Sequence, residues 1–104
     1  MDDTQGTPIS ISNNTVNDNH LIYFYGTECT HCHEMDEPLE RLLKEESIAV
    51  QKLECWHDEE NARLLEQYDQ GLCGGVPFLY NTQSNKFICG TCDYETLKNW
   101  ALGA

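Results

Sequence analysis

Residues 23–32, YFYGTECTHC, decide how this chain is read. They run from an aromatic segment through Gly26-Thr27-Glu28 into Cys29 and Cys32, two cysteines with only Thr30 and His31 between them. That spacing suits a redox couple, half of a metal site, or a pair of inert thiols. The rest of the sequence has to choose among the three.

On the N-terminal side, Leu21 to Tyr25 (LIYFY) is a compact apolar and aromatic run. It suits a strand buried on both faces, which Gly26-Thr27 ends. On the C-terminal side, Met35, Leu39, Leu42 and Leu43 recur at three-and-four spacing and predict a helix with one apolar face. Glu34, Asp36 and Glu37 fall in its first turns, where acids favour the helix dipole. Pro38 removes a backbone N–H and crowds the preceding turn, so the helix should bend there.

Further along, Ile48 to Leu53 (IAVQKL) reads as a second strand. His57-Asp58-Glu59-Glu60 opens a second helix, with Asp58 as N-cap and with Ala62, Leu65 and Tyr68 on one side. Gly71-Leu72-Cys73-Gly74-Gly75 breaks regularity, and Val76 to Tyr80 is a third strand with Pro77 near its start, a position strands tolerate. The polar turn Asn81 to Asn85 (NTQSN) pairs it with Lys86 to Cys89 as an antiparallel hairpin. Asp93 caps a closing helix that turns Tyr94, Leu97, Trp100 and Ala101 to the core. The order β-α-β-α-β-β-α predicts an α/β fold: a four-stranded mixed sheet, a right-handed parallel crossover, and helices on both faces. Residues 1–19, rich in Asp, Asn, Thr and Ser, are expected to be a flexible acidic and polar tail before a domain over residues 20–104. Ile9, Ile11 and Val16 leave room for a short edge strand in that tail.

A chain of 104 residues supports one core and hence one principal site. Acidic residues outnumber basic ones 18 to 6, for a formal charge of -12, so a nucleic acid or an anionic membrane surface would be repelled. No apolar run approaches the roughly 20 residues that cross a bilayer. Six cysteines could form three disulfides in a small secreted domain. The N-terminus has neither the basic nor the apolar region of a signal peptide, which favours a cytoplasmic protein whose thiols do chemistry or bind metal.

YFYGTECTHC at residues 23–32, GGVPF at residues 74–78 with Val76 before Pro77, and Gly90 after the last strand together resemble the thioredoxin-like superfamily, over roughly residues 20–103. The resemblance implies a thioredoxin-like fold and a thiol-disulfide oxidoreductase that works without a cofactor. It further implies a cis peptide bond before Pro77, with Pro77 against the active disulfide and the Val76 backbone docking the substrate chain. Its partners would be a disulfide-containing protein or a small thiol, with a reductase or a glutathione-type compound as electron donor, and it would act as a monomer. Three positions depart from the pattern. Glu28 stands where the family has an aromatic residue, Tyr23 where it has a buried proton-shuttling acid, and Pro38 one residue beyond its helix-kinking proline.

A thiolate, not a thiol, attacks a disulfide, so something must favour the anion near neutral pH. Backbone N–H groups at a helix start do so, which makes Cys29 the expected exposed, lower-pKa nucleophile and Cys32 the resolving thiol. His31 is a candidate to stabilise the thiolate further as an imidazolium, and His33 a weaker one, against the opposing charges of Glu28 and Glu34. Cys-Thr-His-Cys also resembles the Cys-Pro-His-Cys of oxidising members of the superfamily, in which the histidine stabilises the reduced form.

The remaining cysteines admit a rival reading. Cys55 reads as a small buried hydrophobe. Cys73, Cys89 and Cys92 form a possible second thiol site, since the resemblance brings their segments near the face that carries Cys29. Cys73 could bond to Cys89 or Cys92, or several of these thiols could join Cys29 and Cys32 around zinc or an iron-sulfur cluster. The rival function is thus a metal-binding or redox-sensing module on the same fold. The long stretch between the two CxxC pairs is unlike a compact zinc ribbon and weakens the metal reading.

Overall fold

The computed structural model describes residues 20–103, so the tail expected over residues 1–19, and any edge strand within it, lies outside the described residues. The elements run β1 (Leu21–Tyr25), α1 (Thr30–His33), α2 (Asp36–Glu46), β2 (Gln51–Glu54), α3 (Glu59–Asp69), β3 (Phe78–Asn81), β4 (Lys86–Cys89) and α4 (Tyr94–Leu102). The sheet has the order β2-β1-β3-β4. β1 is parallel to β2 and antiparallel to β3, and β3 pairs antiparallel with β4. This is the mixed sheet that the element order predicts.

Alternation along β1 builds both halves of the core. Leu21 and Tyr23 point to a face covered by Met35, Leu39 and Leu42 from the α1–α2 side and by Leu97, Trp100 and Ala101 of α4. Ile22 and Phe24 point to the opposite face, joined by Phe78 and covered by Ala62, Leu64, Leu65 and Tyr68 of α3. A strand buried on both sides has no polar side to offer, which is why LIYFY carries no charge. Among the described residues, no helix is long and apolar enough to cross a membrane.

Four local expectations are corrected. The helix after Cys29 does not bend at Pro38; it divides earlier, at Glu34 and Met35, into α1 and α2. Pro38 then lies in the first turn of α2, where a missing N–H costs nothing because helix starts leave their N–H groups unpaired anyway. Leu43 is half exposed, since the adjacent Leu42 takes the core-facing position and the next residue is turned about 100° away. β2 starts at Gln51 and not at Ile48, because pairing with β1 begins at Ile22 opposite Gln51; Ile48 and Val50 instead pack against the α2 face from the connection. β3 starts at Phe78 and not at Val76, with Phe78 opposite Phe24, and Pro77 has no N–H to contribute to a ladder. The caps follow the sequence, with Asp58 accepting from the Asn61 N–H and Asp93 from the Thr96 N–H.

Asn81 reads as the first residue of a polar turn, yet its side chain is buried. Its Nδ2 donates to the Trp100 carbonyl at 3.0 Å and its Oδ1 accepts from the Gln83 and Ser84 N–H groups at 2.9 and 3.2 Å. One amide thereby shapes the hairpin turn and ties it to α4. Buried polar groups persist only when paired in this way.

Candidate active site

β1 ends at Tyr25 under the loop that delivers the cysteines. Gly26 is followed by a turn closed by the Cys29 N–H, which donates to the Gly26 carbonyl at 3.0 Å. The flat face of Trp56 lies on Gly26 so closely that any Cβ there would enter the indole ring. Glycine is therefore required here for close approach. Glu54 fixes the same loop from the end of β2, accepting from the N–H groups of Thr27 at 3.0 Å, Trp56 at 3.2 Å and His57 at 2.9 Å. Burial raises the Glu54 carboxyl, but these N–H groups together outweigh it and hold it below its ordinary value.

Cys29 is the N-cap of α1, and its Sγ accepts from the Cys32 N–H at 3.1 Å. Cys29 and Cys32 form a disulfide with a Cα–Cα distance of 5.2 Å. Cys32 is 1% exposed and Cys29 7%, so Cys29 is the more accessible sulfur but is far more covered than its expected role as an exposed nucleophile suggests. The Val76 carbonyl, which comes just before a cis Val76–Pro77 bond, lies 4.0 Å from Cys29 Sγ. Because α1 is only four residues long, the aligned dipole of a long helix is absent. What faces the sulfur is one directed N–H.

The histidines near the couple are each turned to a carboxylate. His31, three-quarters exposed, pairs with Glu34 at 3.6 Å. His33 donates from Nε2 to the Thr27 carbonyl at 2.7 Å and faces the Asp36 carboxylate with Nδ1 at 3.3 Å, and these two partners raise its pKa, the Thr27 bond first. His57 reaches Glu28 at 2.8 Å across the mouth of the site, and that bond raises its pKa. The acid beside the first cysteine is thus bridged to the start of α3.

On the inner side, the Tyr23 hydroxyl donates to the Cys32 carbonyl at 2.7 Å. Burial, and secondarily the negative charge of Asp36, push its phenol well above the ordinary tyrosine value. Tyr23 is therefore a fixed donor and not a base. A cavity of about 230 Å³ opens beside it, lined by Tyr23, Tyr25, Cys32, His33, Asp36 and Lys52.

The second thiol site resolves into one pair and one free thiol. Cys73 and Cys89 form a disulfide with a Cα–Cα distance of 5.5 Å, whereas Cys92 and Cys55 are free. Alternation along β4 explains the choice. Ile88 packs with the face containing Cys29 and Cys32, so Cys89 points to the opposite face, where Cys73 packs; Cys92 returns to the first face. Burial raises both free thiols, Cys55 to about 11. Asp69 anchors the loop holding Cys73, its carboxylate accepting from the Cys73 and Gly74 N–H groups. Its one local signal is its place, since an acid in the last turn of a helix opposes the dipole and needs another partner. The cysteines do not gather around a common point. Among the described residues, the three-ligand group within 4.8 Å is Glu28, Glu54 and His57.

No family model matches the sequence, and no curated protein matches it. Among solved structures, the crystal structure of a glutaredoxin from Archaeoglobus fulgidus superposes with a TM-score of 0.57 at 21% identity, covering 80% of this chain and 86% of that one. The likeness shows that this chain has the thioredoxin-like fold.

Proposed function

We propose that this chain is a thiol-disulfide oxidoreductase whose couple is Cys29 and Cys32. The observation that carries the reading is the geometry at Cys29: a sulfur in a disulfide with Cys32, receiving the Cys32 N–H at 3.1 Å and lying 4.0 Å from the Val76 carbonyl. The reduced sulfur is expected to be held as a thiolate by that N–H, and it is the more accessible of the two. The Cys29 thiolate attacks one sulfur of a substrate disulfide, and the other substrate sulfur leaves as a thiolate and takes a proton from water. The Cys32 thiol, losing its proton, then attacks Cys29, releasing the second substrate thiol and closing the Cys29–Cys32 disulfide. Two electrons pass to the substrate, and a dithiol or a reductase returns them. Val76 and Pro77 position the substrate chain beside Cys29. His31 tunes the thiolate only weakly, since its ring is exposed and paired with Glu34. We place this activity in the cytoplasm, on the monomeric chain.

The test is reduction of a protein disulfide with dithiothreitol as donor. Cys29→Ser is expected to abolish turnover, Cys32→Ser to accumulate a mixed disulfide at Cys29 visible by mass spectrometry, and His31→Ala to slow turnover only slightly. Full activity in Cys29→Ser would reject the reading. Stoichiometric zinc lost on that substitution, without turnover in the wild type, would replace it with the metal-binding alternative.

A further inference from the structure

Three segments carry Cys29 or touch its loop, residues 26–34, 54–60 and 69–77, and none of them contains Lys or Arg. They are linked to the couple by the contacts already described, through Glu54 to Thr27, Glu28 to His57, and Val76 to Cys29. Glu28, Glu34, Glu54, Asp58, Glu59 and Glu60 lie within them. His31, His33 and His57 are paired with Glu34, Asp36 and Glu28, and when protonated they neutralise those carboxylates, which leaves the charges of Glu54, Asp58, Glu59 and Glu60 on this side. The six basic residues lie outside these segments: Arg41 is bound to Glu45 and Lys98 to Glu46, Lys52 lines the cavity on the Tyr23 side of Cys32 together with Asp36, Arg63 stands one turn beyond Glu59 and Glu60 on α3, and Lys44 and Lys86 lie on α2 and β4.

Two exposed apolar side chains lie in the same segments. Trp56, about half exposed, covers Gly26 on one side of the cysteine loop; Leu72, still more exposed, adjoins Cys73 in the loop that leads to Val76. Exposed aromatic and aliphatic groups of this kind anchor a polypeptide, while rim charges select its sign and speed its encounter.

Resting on the oxidoreductase reading above, we infer that the substrate is a disulfide in a basic polypeptide segment. It carries an apolar residue beside its cysteine and Lys or Arg further out. The same rim disfavours glutathione disulfide. Each half of that molecule brings two carboxylates against one ammonium, and the rim has no Lys or Arg to receive a carboxylate. The chemistry is the two-electron exchange described above, with the Cys29–Cys32 dithiol oxidised and the peptide disulfide reduced to two thiols.

The experiment mixes the pre-reduced full chain, freed of reductant, with three disulfide peptides of matched length whose flanks are basic, neutral or acidic, and separately with glutathione disulfide. Second-order rate constants are read from thiol release. The basic peptide is expected to react at least about tenfold faster than the acidic peptide or glutathione disulfide at low ionic strength. That ratio should shrink strongly at 1 M salt, where screening acts over about 3 Å. Glu59→Gln/Glu60→Gln is expected to lower the basic-peptide rate and leave the neutral-peptide rate unchanged. Equal rates for all three peptides, or a faster reaction with glutathione disulfide, would overturn the inference while leaving the Cys29 reading intact. If none of the four compounds is reduced by chain whose Cys29 and Cys32 titrate as free thiols, the oxidoreductase reading fails and this inference fails with it.

Discussion

The Tyr23 hydroxyl and the Cys32 carbonyl show how one side chain changes what a site can do. The phenol donates at 2.7 Å to a buried carbonyl that also accepts from the Met35 N–H at 3.0 Å. Where the resemblance expects a proton-shuttling acid, this position holds a phenol that stays protonated, so Tyr23 does not serve as a base toward Cys32. Tyr23→Phe is expected to cost about 1 kcal/mol of stability, the net worth of one buried hydrogen bond, in urea unfolding of the oxidised chain. Glu28 is the second decisive residue. Its bond raises the His57 pKa, with a smaller contribution from the Glu54 charge. A raised folded value means the bridge contributes fully below the unfolded histidine value of about 6.5 and is lost as pH rises through the folded value. In Glu28→Gln the His57 midpoint, followed by NMR of the imidazole, is expected to fall toward 6.5, the ordinary histidine value.

At the scale of elements, α1 and α2 are two helices because the chain needs a corner between the cysteines and the core-packing leucines. Met35 ends fully buried at that corner, with its N–H given to the Cys32 carbonyl. α3 and α4 begin at aspartate caps. Asp58→Ala is expected to lower stability by about 1 kcal/mol, read from the urea midpoint, because an alanine leaves the Asn61 N–H without its acceptor. The Asp93 carboxyl is held below its ordinary value by bonds from Thr96, so its contribution is present above about 3.8 and fades as pH falls through the folded value.

At the scale of the molecule, the Cys73–Cys89 disulfide joins the loop before Val76 to the end of β4, across a sequence separation of 16. Closing a loop of that size restricts the unfolded chain by about 3 kcal/mol in the chain-entropy account. Cys73→Ala/Cys89→Ala is expected to lose stability of that order in urea unfolding with Cys29–Cys32 oxidised. Disulfide reduction should continue, because Asp69 still holds the loop through the Cys73 and Gly74 N–H groups.

Periodicity, caps and turn residues act over a few neighbours, so the sequence alone determined β1, the hairpin, the aspartate caps of α3 and α4, and the CxxC at the start of a helix. The α/β order followed from these. Contacts between residues distant in the chain depend on how the elements dock, and only the tertiary structure decided them. Docking chose Cys89 over Cys92 as partner of Cys73 through the parity of β4, buried Asn81 against α4, and aimed Tyr23 at Cys32. The pairing of His31 with Glu34, by contrast, is a local contact three residues apart. A side chain's type is written locally, but its partner is set by the summed packing of surfaces that meet only once the chain has folded.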